Sequence, residues 1–354
     1  MSESIYTLRV SRAAAGVYPT ISDALAAADQ LYPDDEQPVM IRVDPGEYRE
    51  RVEIHRSHVT IEGETADSVR IVGGLGAKMP SGDGSGIDGM LGTFRTYTVL
   101  VDADDVRLEN LTIVNDAGDG REVGQAIALY ADGDRLVVDA CIKGHQDTLF
   151  LGPLPPHEVK PGGFIGPKQY APRRVGRQYF RRCRIEGDVD FIFGGARAYF
   201  EGCEIRSLNR DMDVNGYVTA ASTPKGEPYG FVFHGCSFTA LDGVAPDSVY
   251  LGRPWREWAQ TALIDCWLGR HIKREGWWDW NKPAAHSCAQ YAGAILHGPA
   301  GDTTDWVPWA NKLDVMAAAG YAREQVLAGA DGWDPEGGDG DAVETAGLSA
   351  NGRT

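Results

Sequence analysis

The feature that most restricts the fold is a short pattern that returns along the chain from residue 106 onward. It reads Arg107-Leu-Glu-Asn-Leu111-Thr-Ile113, then Leu136-Val-Val-Asp-Ala-Cys141-Ile142, Tyr179-Phe-Arg-Arg-Cys183-Arg-Ile185 and Tyr199-Phe-Glu-Gly-Cys203-Glu-Ile205. Phe231-Val-Phe-His-Gly-Cys236-Ser-Phe238 and Leu263-Ile-Asp-Cys266-Trp-Leu268 extend it. Each copy is an apolar pair, a polar turn, and a Cys or Leu that opens another short strand. The copies lie 20 to 42 residues apart, so the unit is a coil with loops of different length. Stacked coils that each turn a small apolar side chain inward share one continuous core, and the pattern favours such a solenoid over a β-sandwich with incidental cysteines. Five of the six cysteines (Cys141, Cys183, Cys203, Cys236 and Cys266) are then expected to form an internal ladder of buried thiols acting as small hydrophobes. With no CxxC pair, neither a redox nor a zinc role gains support.

Ahead of the repeat, Tyr18 to Leu31 reads as one helix. Thr20 can cap it, Asp23 follows three residues on, and Ile21, Ala24, Leu25 and Ala28 share a face. Strand signals follow at residues 39–43, 58–61, 70–72 and 99–101, rich in Val and Ile and separated by Gly, Asp and Asn. Residues 151–177 hold six prolines and read as a long irregular insertion. A single domain is expected over residues 1–333, and the Gly-, Asp- and Ala-rich stretch 334–354 is expected to be a disordered tail.

Composition removes several classes of function. A net charge of −17 argues against nonspecific nucleic-acid or anionic-membrane binding, and no apolar run approaches the ~18 residues of a membrane span. The first twelve residues lack a secretory pattern, which leaves the compartment open between the cytoplasm and a trimmed secreted protein. Gly84-Ser-Gly-Ile-Asp-Gly89 fits GxGxxG, but no buried strand leads into it, so a dinucleotide site is not expected. GxSxG, P-loop and HExxH patterns are absent, which removes the usual frameworks of serine and zinc hydrolases. Asn110-Leu-Thr112 is a formal glycosylation sequon that falls in an expected strand.

Two coils can be aligned by Gly and Asp: Gly144-His-Gln-Asp147-Thr-Leu-Phe150 and Gly187-Asp-Val-Asp190-Phe-Ile-Phe193. In each, an aspartate lies three residues after a glycine and a hydrophobic strand follows. If the coils stack as neighbours, Asp147 and Asp190 sit one strand spacing apart, ~4.8 Å between backbones. Carboxylates held that close do not both ionise freely, which yields one protonated acid beside one ionised nucleophile. Either aspartate alone reads best as a turn residue bonding backbone N–H groups; the aligned pair does not.

At these residues the chain resembles the pectin methylesterases. Gln125-Ala-Ile-Ala-Leu129, Gln146-Asp-Thr-Leu149, Asp190-Phe-Ile-Phe-Gly194 and Leu251-Gly-Arg-Pro-Trp255 are similar to the family's four signature motifs, in the same order. Tyr18-Pro-Thr-Ile21, Pro45-Gly-Glu-Tyr-Arg-Glu50, Gly276-Trp-Trp-Asp-Trp280 and Gly329-Ala-Asp-Gly-Trp333 extend the likeness over most of residues 5–333. The resemblance implies an all-β, right-handed parallel β-helix with a short N-terminal capping helix. It also implies hydrolysis of galacturonate C6 methyl esters in methyl-esterified polygalacturonate or oligogalacturonides, by a monomer without metal or cofactor.

In that scheme Asp190 attacks the ester carbonyl, Gln125 and Gln146 donate to the oxyanion, and Asp147 is general acid and then base. Arg253 holds Asp190 ionised, Trp255 stacks on a sugar, and Phe193 lines the cleft. His145 carries no implied role and is taken as structural. The insertion departs from the family's compact members and is expected to overhang the cleft, with Lys168, Arg173 and Arg174 attracting free carboxylates of substrate. Two rivals are a Ca²⁺-dependent β-helix polysaccharide lyase, which leaves the glutamines and Arg253 unexplained, and a noncatalytic carbohydrate-binding solenoid.

Overall fold

The computed structural model describes residues 6–14 and 17–337. All but the first four residues of the expected tail therefore lie outside the described residues. The chain winds into a parallel β-helix. One ladder stacks Val52–Ile54, Val99–Val101, Leu129–Ala131, Leu149–Leu151, Val189–Gly194, Gly216–Ala221 and Val249–Gly252, every pair parallel. Two further ladders form the remaining walls. They merge into one sheet because Val106–Asn115 and Leu136–Lys143 run through the corner as single long strands. The strands that feed the walls are the Val-, Ile- and Phe-rich runs of the sequence pattern. Ile21–Leu31 is the expected helix: Thr20 caps it by accepting the Asp23 N–H, and the Glu50 carboxylate takes the N–H groups of Ile21 and Ser22. Its buried Ile21, Ala24, Leu25 and Ala28 close one end of the core.

At the corner between the two merged walls, most coils turn on a single left-handed residue: Asn110, Arg182, Gly202, Gly235, Asp265 or Ile295. One such residue redirects the chain without opening a loop. The next side chain then points into the lumen, and at four coils it is Cys183, Cys203, Cys236 or Cys266, all buried. Each thiol donates to a carbonyl of the preceding coil: Val138 at 3.2 Å, and Phe180, Phe200 and Phe233 at 3.4 Å. Phe180, Phe200 and Phe233 stack beside them at 4.8 and 4.5 Å.

Cys141 is not part of this ladder. Strand 136–143 has no left-handed corner residue, and its register against strand 106–115 slips between Asp139 and Ala140. Ala140 consequently pairs with Leu111 and takes the inward place, while Cys141 pairs with Arg184 and is only half-buried. The signal was present in the sequence, since Cys141 directly precedes Ile142 whereas the ladder cysteines stand two residues before Ile, Phe or Leu.

The insertion does lie over one wall of the helix, but its cations are engaged there. Lys168 pairs with Asp102 and, at 3.9 Å, with Asp132; Arg174 forks onto both oxygens of Asp104. Arg173 donates to the carbonyls of Pro155, Lys168, Gln169 and Ala171. The expectation that these three attract substrate carboxylates is therefore corrected: Lys168 and Arg174 fasten the insertion to the coils beneath it, and Arg173 ties the insertion to itself. Of the basic residues in this stretch, Lys160 alone lines the cleft.

Candidate active site

The site lies on the outer side of the ladder that contains Val189–Gly194. Leu149 pairs with Ile192, Phe150 with Phe193 and Leu151 with Gly194, and the same register two residues earlier sets Asp147 against Asp190. The Asp147 N–H donates to the Val189 carbonyl at 3.0 Å. Both aspartates are left-handed, with φ of 63° and 50°, and the ladder to the following coil slips between Val189 and Ile192. Such a bulge re-aims side chains, and backbone held there costs on the order of 1–3 kcal/mol per residue. Here it sends two matched carboxylates out of the ladder and into one cleft.

The pair is buried, with 8% of Asp147 and 5% of Asp190 exposed. Their surroundings differ. Arg253, leaving the end of strand Val249–Gly252, gives Nε to Asp190 Oδ1 at 2.7 Å and Nη2 to Oδ2 at 2.6 Å. That guanidinium lies against the rings of Trp280 at 3.7 Å and Tyr217 at 3.8 Å, which fix its plane. Burial pushes both carboxyl groups upward, and at Asp147 the charge of Asp190 pushes further in the same direction. At Asp190 the arginine opposes the rise. The shared proton therefore belongs on Asp147, and Asp190 carries the negative charge.

All seven residues singled out in the sequence line one cleft of about 490 Å³: Gln125, Gln146, Asp147, Asp190, Phe193, Arg253 and Trp255. Gln146 has room because residue 120 is glycine; a Cβ there would sit 2.7 Å from both its Cβ and its Oε1. His145 faces elsewhere, its Nδ1 3.0 Å from Asp188, and this contact ties two coils together.

Part of the cleft is built by residues that carry no motif in the sequence. Phe94 and Phe164, from two separate loops, pack on Trp255 at 6.4 and 6.2 Å and wall one side. Trp280 and Tyr217 clamp Arg253 from segments given no role. The run Trp277-Trp278-Asp279-Trp280 was the available signal for the first, while nothing in the sequence marked Tyr217 or Phe94.

Comparison with known proteins agrees with this geometry. The family described as Pectinesterase matches residues 7–153 and 170–330, and the chain belongs to that family. The unmatched interval between those blocks falls inside the insertion. The chain is 31% identical over 337 residues to probable pectinesterase/pectinesterase inhibitor 23 of Arabidopsis thaliana, covering 92% of this chain and 53% of that protein. Against pectinesterase 2 of Citrus sinensis the identity is 28% over 305 residues, covering 85% and 52%. The chain thus spans about half the length of the curated relatives it matches. Among solved structures, pectin methylesterase PemA from Erwinia chrysanthemi superposes with a TM-score of 0.74 at 27% identity, covering 94% of this chain and 99% of that one. Pectin methylesterase from carrot gives 0.75 at 26%, covering 92% and 93%. Another matching structure is a pectin methylesterase in complex with a hexasaccharide, with a TM-score of 0.74 at 27% identity and the same coverage as PemA.

Proposed function

We propose that the protein is a carboxylic ester hydrolase that releases methanol from C6 methyl esters of galacturonate, in pectin or in oligogalacturonides. The observation that carries this reading is the unequal aspartate pair, register-matched and buried, with both oxygens of one member held by Arg253. Asp190 Oδ attacks the ester carbonyl, and the oxyanion that forms accepts hydrogen bonds from Gln125 and Gln146. Collapse breaks the C–O bond to methoxide while Asp147 delivers its proton to the departing oxygen. Asp147, now ionised, takes a proton from water; the hydroxide adds to the acyl-aspartate, and its collapse frees the uronate and regenerates Asp190. Trp255 and Phe193 wall the sugar site, and the protein acts as a monomer. The hexasaccharide in a solved relative supports a substrate of this size.

A calcium-dependent lyase fits the donors less well. A guanidinium occupies both oxygens of Asp190, and the described residues hold no group of three or more His, Cys, Asp and Glu side chains able to bind a metal. The test is methanol release from highly methylated pectin and methylated oligogalacturonides, with and without EDTA, for the wild type and Asp190→Ala. Release that ignores EDTA and disappears in the variant is expected. No release from the wild type on either substrate overturns the reading in favour of another ester or a binding role.

A further inference from the structure

A second matched pair braces Asp147 and Asp190 from outside the cleft. The register that sets Asp147 against Asp190 also sets His145 against Asp188, two residues earlier on each coil. The Asp188 N–H donates to the His145 carbonyl at 3.2 Å, and His145 Nδ1 lies 3.0 Å from Asp188 Oδ2. Asp188 Oδ1 accepts the Val189 N–H at 2.7 Å, and the Val189 carbonyl in turn accepts the Asp147 N–H at 3.0 Å. The Thr148 hydroxyl donates to the His145 carbonyl at 2.9 Å from the far side of the turn. A continuous circuit of hydrogen bonds therefore runs from the His145 ring through Asp188 and Val189 to the backbone of Asp147. Gln146, assigned above to the oxyanion, lies inside that circuit between His145 and Asp147.

Asp188 is 2% exposed with both oxygens engaged, whereas the imidazole is partly open to solvent. Taking one partner from a buried pair of this kind leaves the other charge uncompensated. The hydrogen bond to Asp188 raises the His145 imidazole above its ordinary value, against the opposing effect of burial. On the cleft side, burial and Asp190 push Asp147 upward, and the charge of Asp188 adds to them while Arg253 opposes. The left-handed backbone at Asp147 and Asp190 persists where surrounding structure imposes it, and the circuit supplies that constraint to both turns. The other charged groups around the pair are Asp119, which faces His145 and is ion-paired with Arg121, and Asp211, which faces Arg121. Arg253, Lys282 and Arg210 face Asp190.

We propose that His145 and Asp188 are positioning residues for ester cleavage: they hold the turns that carry Gln146, Asp147 and Asp190, and they set a negative charge behind Asp147. This rests on the hydrolase reading above. Neither residue lines the cleft, so both act through the groups they brace. The arrangement mirrors the one at Asp190. There Arg253 holds the charge on the nucleophile; here Asp188 holds the proton on the acid, and His145 fixes the direction of the Asp188 carboxylate and balances its charge. Asp147 must be protonated for methoxide to leave, so the rate falls as pH rises through its pKa. Removing the Asp188 charge lowers that pKa and brings the fall to lower pH.

The experiment is the pH profile of methanol release, paired with ¹³C NMR titration of the aspartate-labelled full chain, in which Asp147→Asn identifies the Asp147 carboxyl signal. Asp188→Asn keeps an acceptor for the Val189 N–H and removes the charge. It is expected to lower the Asp147 titration and the basic limb of kcat/KM together, by about half a pH unit or more, with the acid limb unmoved. His145→Ala is expected to lower kcat about tenfold with KM changed less than about twofold, and His145→Gln, which returns a donor to Asp188, to recover most of the loss. The imidazole is partly exposed, so the His145 variants decide if Asp188→Asn does not fold. A lower kcat in Asp188→Asn with both limbs in place overturns the proposal. So does an unchanged kcat in His145→Ala, or a loss there that His145→Gln does not recover. Wild-type protein whose Asp147 titration depends on Asp188 but which releases no methanol overturns the hydrolase reading and leaves the charge coupling standing.

Discussion

The lumen and the outer face of these coils obey one register and hold opposite contents. Inside, matched positions repeat: Cys183, Cys203, Cys236 and Cys266 stand one above another, flanked by stacked phenylalanines. Outside, the position two residues before the register-matched Leu129, Leu149 and Ile192 reads Ile127, Asp147 and Asp190. Repetition lets each coil bury its neighbour's apolar surface, so the lumen favours folding. A matched pair of buried carboxylates opposes folding and is held in place by what the lumen contributes. Substitutions in the cleft should therefore cost chemistry and little stability, and substitutions in the lumen the reverse.

The sharpest way to break that contrast is Asp190→Asn. Loss of the nucleophile is expected to lower methanol release by about 10⁴-fold or more, with cooperative unfolding retained. A variant that unfolds at ambient temperature would show the cleft to be part of the stabilising framework. Gln146→Ala should cost about 10²- to 10³-fold in kcat with a much smaller change in KM, the mark of a donor that acts in the transition state. Equal losses in KM and kcat/KM would assign Gln146 to substrate binding.

Two pH experiments sharpen the comparison within the aspartate pair. Asp190 must be ionised to attack, so the rate falls as pH drops through its pKa. Arg253 holds that pKa down against burial, and Arg253→Met is expected to move the acid limb of kcat/KM to higher pH. An unmoved limb would mean that the arginine orients Asp190 without setting its charge. Asp147 tests the stability side. Its folded-state pKa is raised by burial and by Asp190, so the native state favours the protonated form. That contribution is complete below the ordinary carboxylate range and is lost as pH climbs through the raised value. Asn does not ionise, so Asp147→Asn should match the wild type in acid and exceed it near neutral pH by about 0.5–2 kcal/mol, read from denaturant midpoints. Equal stabilities at both pH values would remove the electrostatic cost assigned to the pair.

The legible and illegible parts of the molecule divide along the same line. The coil pattern, the capping helix and the four motif segments were readable because each depends on near neighbours in sequence or on a repeat. The seven site residues converge because register carries a local alignment of Gly and Asp into space. What stayed hidden depends on contacts across loops. The direction of Lys168, Arg173 and Arg174 is decided by Asp102, Asp104, Asp132 and the insertion's own carbonyls; Asp102 lies 66 residues before Lys168, and Asp104 lies 70 before Arg174. The clamp of Tyr217 and Trp280 on Arg253 joins the start of one strand, a turn and the end of another strand, and no spacing rule reports it.

The smallest effect separates two cysteines that look alike in sequence. Cys203 is buried, with its thiol bonded to the Phe180 carbonyl, whereas Cys141 has slipped one place outward and Ala140 fills the lumen position. Cys203→Ala removes a packed sulfur and leaves a small void between stacked rings, so a loss of about 1 kcal/mol is expected. Cys141→Ala removes a half-buried atom beside Arg184 and should stay within about 0.5 kcal/mol of the wild type. Ala140→Cys completes the comparison. It would place a thiol at a lumen position now filled by a buried methyl group, and overpacking there should destabilise by about 1 kcal/mol or more. If Ala140→Cys is instead neutral or stabilising, the lumen at that coil is wide enough for the ladder to continue. The slip at Asp139 would then reflect the missing left-handed corner residue alone.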